Sequence, residues 1–136
     1  MKTMKNITYI LFVALALSAC SNKMTFQDSS VVPAASGDVK VKKDKNDNYA
    51  ITVNVRNLAE PKKLSPAREV YIVWMQSDRD LVKKLGQISV GSGMFNKSLS
   101  GELTATETVK PDRVFITAEN DAQTLNPSTE MILTIK

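Results

Sequence analysis

Chemistry in this chain would have to come from a run of oxygen donors, a glutamate on an apolar strand, or a single thiol. "DKNDN" sets Asp44, Asn46 and Asn48 at alternate positions, the spacing with which an EF-hand loop begins to gather oxygens around calcium. The position that needs glycine for the sharp turn is Tyr49, and the closing glutamate is replaced by Val55. The segment therefore reads as a hairpin turn, favoured because Asp and Asn side chains hydrogen-bond to nearby backbone. Asp78 and Asp80 offer further oxygens should a second loop approach, but the pattern assigns no metal. Glu119 closes the apolar series Val114, Ile116, Ala118. An inward side chain there would need Lys110 or Arg113 beside it to offset the cost of burying a charge. An outward one would hydrogen-bond the backbone of "NPST" and hold that loop. No nucleophile and base pair accompanies it, so no catalytic residue is assigned and no enzyme activity is expected. The sequence holds no histidine and one cysteine, Cys20. Imidazole-based triads, metal sites built from His or several Cys, and a disulfide within the chain are thereby excluded.

The thiol has a different context. "MKTMKN" is a short positive region, "ITYILFVALAL" an apolar run, and "LSAC" follows at once, which is the order of a secretory signal peptide. From Ile7 to Ala19 an α-helix would reach only ~20 Å at ~1.5 Å per residue. A hydrocarbon core of ~30 Å asks for more, so no permanent span is expected. Leu17, Ser18 and Ala19 ahead of Cys20 resemble the lipobox of bacterial lipoproteins. That resemblance implies recognition of those residues by the lipoprotein signal peptidase, diacylglyceryl transfer to Cys20, cleavage before it, and a freed amine open to acylation. An unpaired exported cysteine would otherwise be a liability. Ser21, where no acidic residue stands, implies outer-membrane sorting in a Gram-negative cell.

Residues 1–19 are thus read as a signal peptide and 20–37, "CSNKMTFQDSSVVPAASG", as a flexible tether that lacks the apolar content to order itself. Phe26, Val31 and Val32 could dock locally. The remaining 38–136 form one domain. Val39 and Val41 alternate with lysines, and Tyr49, Ile51, Val53 and Val55 alternate with polar residues, the period of half-buried strands joined across "DKNDN". "LAEPKKLSPAR", with two prolines, reads as a crossing between sheets. "LVKKLGQI" reads as strand, with one helical turn as the alternative. Val114 to Ala118 and Met131, Leu133 and Ile135 supply later strands. About seven short strands with no sustained helical period predict an all-β, antiparallel β-sandwich, immunoglobulin-like or related. "VYIVWM" places six apolar residues in succession around the single tryptophan. Alternation would send Val70, Ile72 and Trp74 to the inter-sheet core. Tyr71, Val73 and Met75 would then form a second apolar face, covered by the tether or a loop, or available to a partner.

The order of "VYIVWMQSDRDLVKKLGQI", Phe95, "VFITAEN" and "NPSTEMILTI" resembles the extracytoplasmic C-terminal domain of anti-sigma-K factors, over roughly residues 69–136. Trp74, Gly86, Thr117, Ala118, Glu119, Pro127 and Thr129 stand at the matching places. The resemblance implies a β-sandwich outside the cytoplasm. It does not imply sigma-factor binding, which in that family belongs to a cytoplasmic N-terminal domain joined by a transmembrane helix; neither is read here.

Charge adds a further exclusion. The whole chain carries +4, and without Lys2 and Lys5 the balance is 16 basic against 14 acidic residues. That surplus is too small for a nucleic-acid partner. "KVKKDK" at 40–45 reads as a solvated strand edge guarded by lysines. The expectation is a non-catalytic binding or interaction module of the cell envelope, without cofactor. It would be held on a bilayer by Cys20 acylation and would partner another envelope protein. The alternatives are an accessory protein for glycan or metal ions, and a carboxylate-dependent hydrolase. Two or more carboxylates in one concave pocket would mark the hydrolase, an exposed aromatic platform the glycan binder, and one smooth apolar face the interaction module.

Overall fold

The computed structural model describes residues 21–78, 81–92 and 99–135. The expectations for the signal peptide, the lipobox residues Leu17, Ser18 and Ala19, and Cys20 itself lie outside them. The regular structure among the described residues is strand, apart from one turn of 3₁₀ helix at Pro61–Lys63. The strands are β1 (Asn22–Thr25), β2 (Ser36–Lys43), β3 (Tyr49–Leu58), β4 (Val70–Gln76), β5 (Val82–Ile88), β6 (Gly91–Ser92), β7 (Leu99–Glu107), β8 (Arg113–Glu119) and β9 (Met131–Thr134). One sheet has the order β1-β2-β3-β7-β6 and the other β5-β4-β8-β9, with every pairing antiparallel. The expected antiparallel β-sandwich is what forms.

The period-two residues of the first sheet do what their spacing predicts. Val39, Val41, Ile51, Val53 and Val55 are buried against the second sheet, while Lys40, Lys42 and Arg56 stay exposed. β2 and β3 are joined through the turn at 44–48, and "LAEPKKLSPAR" crosses between the sheets. "LVKKLGQI" is strand β5. Its pairing with β4 slips by one residue beside Gly86, whose φ of +155° is one that side chains rarely adopt.

Two expectations are corrected. The segment from Asn22 to Gly37 is no free tether: Asn22–Thr25 pair with β2 as an edge strand, and Ser36 and Gly37 open β2 itself. Between them Phe26, Val32 and Ala35 are buried in the main core, and the Gln27 N–H donates to Thr134 O of the opposite sheet at 2.9 Å. A few apolar side chains suffice because the segment adds to an existing edge, where its backbone finds ready partners.

The second correction concerns β4, whose faces are reversed. Tyr71, Val73 and Met75, expected as a possible interaction face, lie in the inter-sheet core with Val114, Ile116, Leu133 and the valines of β2 and β3. Ile72 and Trp74 point the other way and form a small cluster with Phe115, Val70 and Met131 on the outer face. Alternation separates the two faces of a strand but cannot say which one turns inward when both are apolar.

Candidate functional site

The outer face of the four-stranded sheet is closed by the loop between β8 and β9. Trp74 Nε1 donates to Thr117 Oγ1 at 2.8 Å, the Thr117 hydroxyl donates to Glu119 Oε1 at 2.6 Å, and the Ser128 N–H donates to the same oxygen at 2.7 Å. Lys84 Nζ, 5.9 Å from the Trp74 ring centre, donates to Ala122 O at 2.8 Å. Glu119 is therefore the anchor of the "NPST" loop, the outward role expected of it. Arg113 serves Thr134 Oγ1 at 3.0 Å and stacks over Phe115 instead of pairing with Glu119. The Trp74–Thr117–Glu119 part of the network is buried, and the indole, hydroxyl and Ser128 N–H donors are taken up by Thr117 Oγ1 and Glu119 Oε1.

Asp44 is likewise engaged. Its Oδ1 accepts from the backbone N–H groups of Asn46 at 2.7 Å and Asn48 at 3.0 Å, and Asp47 takes φ 63°. An aspartate closing a tight turn in this way explains the "DKNDN" composition without a metal. Among the described residues, no group of three or more His, Cys, Asp or Glu side chains is placed to hold a metal ion.

A second gathering of polar groups is the outward face of the five-stranded sheet. The register sets Thr25 opposite Asp38, Asp38 opposite Asn54 and Asn54 opposite Glu102, a polar row across four strands. The neighbouring row runs from Lys23 through Lys40 and Thr52 to Thr104. Together with Arg56 and Ser100, residues of these rows line an open groove of about 580 Å³. Period two in all four strands produces it, because every second residue must point to this side.

Asp38 is the unusual member. Its side chain is 8% exposed, yet its protein partners sit at the long limit: Asn54 Nδ2 at 3.5 Å and Arg56 Nη1 at 3.7 Å. Arg56 itself is 58% exposed. A carboxylate accepts up to about four hydrogen bonds, and Asp38 is part of the groove's lining. Glu102 adds a second carboxylate to the same lining.

None of Asp38, Asn54, Arg56 and Glu102 stands out when the sequence is read alone. The available signal is Asp38 itself: aspartate is depleted in strands, and here it begins a clear alternation with Val39 and Val41. The aromatic rings Phe26, Tyr71, Trp74 and Phe115 are buried and Tyr49 is half-buried, so no exposed aromatic platform occurs among the described residues. No helix among them is long and apolar enough to cross a membrane. No protein-family model matches the chain, and neither a curated protein nor a solved structure matches it.

Proposed function

We propose that this chain is a lipid-anchored β-sandwich of the cell envelope that works as a non-catalytic binding module, taking its partner in the groove around Asp38. The observation that carries the reading is the state of Asp38. Withdrawing a carboxylate from water is costly unless donors surround it, and those supplied by Asn54 and Arg56 are distant. Ammonium, guanidinium or amide donors of a protein segment would complete its shell, while Lys23, Lys40 and Arg56 would meet acidic groups on the same partner. The anchor reading rests on the order of positive region, apolar run and Leu17-Ser18-Ala19-Cys20. It sets the module outside the cytoplasm, on the outer membrane facing the periplasm in a Gram-negative cell. The two-sheet architecture agrees with the resemblance to the extracytoplasmic domain of anti-sigma-K factors at the level of fold class.

A photo-crosslinking amino acid at Lys40 in living cells tests the groove, with Leu125 as the control position. The expected result is a discrete adduct with another envelope protein from position 40, weakened by Asp38→Asn. Equal labelling from both positions would remove the groove from the proposal.

A second reading has one observation in its favour: Asp38 and Glu102 line the same concavity, which is what a carboxylate-dependent hydrolase requires. Turnover of ester, glycoside or peptide substrates by the purified protein, abolished by both Asp38→Asn and Glu102→Gln, would establish it over the binding module.

A further inference from the structure

The acyl anchor and the sandwich are joined almost without slack. β1 begins at Asn22, and Asn22 is paired with Val41, so only Ser21 separates the structured edge from Cys20. Two residue steps span at most ~7 Å. From Val41, β2 runs on through Lys43 before the turn at 44–48, an extension of similar length in the same direction. An acylated Cys20 thus brings this end of the sandwich to the level of the lipid head groups.

The composition of that end fits the placement. The loop at 108–112 closes on it, with Tyr49, Asp78, Val109 and Asp112 around a common hollow, and the Asp112 N–H donates to Gln76 O at 2.9 Å. Among the described residues, the large apolar side chains with substantial exposure are Leu81 at 65%, Val82 at 45% and Val109 at 43%, all at this end, and Leu125 at 86% on the loop after β8. The charges here nearly balance among the described residues. Lys43 pairs with Asp47 at 3.3 Å and Lys83 with Glu107 at 2.6 Å, and Lys42, Lys45, Lys110 and Arg113 share this end with Asp44, Asp78 and Asp112.

We infer that this end is a membrane-docking surface: Leu81, Val82 and Val109 insert into the interfacial layer of the bilayer that holds the anchor, with lysine side chains extending along it to the head groups. The inference rests on the lipid-anchor reading of Cys20. Weak insertion suffices, since the anchor holds the end at high effective concentration over the lipid. Because the charges nearly balance, insertion proceeds on neutral phosphatidylcholine and survives high salt. It leaves the loops at 26–35, 59–69 and 120–130 pointing away from the membrane.

The test uses the full-length acylated protein in phosphatidylcholine vesicles carrying a head-group nitroxide lipid. An environment-sensitive fluorophore is attached through Thr108→Cys beside Val109, or through Leu125→Cys as the distant site. Docking gives several-fold greater quenching and bluer emission at 108 than at 125, unchanged in high salt and lost in Leu81→Ser/Val82→Ser. Solvent-like emission at both sites on protein that co-floats with the vesicles would overturn the docking surface and leave the anchor standing. Protein that fails to co-float would overturn the anchor and the docking surface together.

Discussion

Trp74 and Thr117, on adjacent strands of the four-stranded sheet, are joined by an indole-to-hydroxyl hydrogen bond of 2.8 Å that faces away from the main core. The Thr117 hydroxyl in turn donates a hydrogen bond to Glu119 Oε1, which also accepts one from the Ser128 N–H. The outer face of this sheet can therefore bury a tryptophan to 1% exposure without a third layer of secondary structure, using only a loop and a carboxylate. Glu119→Ala would strand the Ser128 N–H and the Thr117 hydroxyl and cost about 1–3 kcal/mol. Trp74 emission, expected at short wavelength in the wild type, would shift toward that of a solvated indole. Glu119→Gln keeps an acceptor oxygen and should lose less. Urea unfolding followed by tryptophan fluorescence reads both effects, and an unshifted spectrum in Glu119→Ala would contradict the loop's dependence on this residue.

Tyr71 predicts a loss of stability in alkali. Its hydroxyl donates to Ala59 O at 2.7 Å, and burial raises the phenol from its ordinary 10.0 to about 12. Between those values the unfolded chain has released the proton and the folded chain retains it. Unfolding thus becomes easier as pH rises. The contribution, about 2–3 kcal/mol at ~1.4 kcal/mol per unit, is complete below pH 10 and gone above about 12. Tyr71→Phe should be less stable near neutrality by about 1 kcal/mol for the unpaired carbonyl. It should also show a shallower decline over that alkaline interval, measured as the urea midpoint against pH.

Two glycines should respond very differently to the same substitution. A Cβ on Gly37 would sit 2.2 Å from Asn54 O and 3.0 Å from the Phe26 ring, whereas one on Gly91 would meet nothing within 4 Å. Gly37→Ala must push β2 off β3 or expel Phe26, a loss of about 3 kcal/mol or more on the scale of overpacked cores. Gly91→Ala should stay within about 0.5 kcal/mol of wild type, as exposed substitutions do. Denaturation midpoints of the pair measure the difference.

On the proposed lipid anchor, in which acyl chains buried at ~0.8 kcal/mol per methylene would supply the attachment, Cys20→Ala should move the protein from the membrane fraction to the soluble extracytoplasmic fraction. Fractionation with metabolic labelling by radioactive palmitate reads the outcome. Retention of full membrane association by the unlabelled variant would contradict the anchor.

Local pattern was enough for the elements on which one face is apolar and the other polar. β2 and β3, the turn between them and the crossing at 58–68 all follow from period two, from Asp and Asn in the turn, and from paired prolines. Glu119's attachment to the "NPST" segment was legible because no nucleophile and base pair accompanies it in the sequence. The polar groove was not. Its members lie on four strands, and only the register brings Asp38, Asn54 and Glu102 into one row.

What the amino-acid order determines by itself is the alternating chemistry of each strand and the succession of positive region, apolar run and small residues ahead of Cys20, since both depend on neighbours in the chain. Tertiary structure alone decided which face of "VYIVWM" turned inward and whether residues 22–37 were tether or strand. The first depended on Thr117 and the loop carrying Ser128 arriving to satisfy and cover Trp74. The second depended on β2 presenting an open edge for Asn22–Thr25. In each case the partner is distant in sequence, and the energy that settles the choice is gained only after the chain has brought it near.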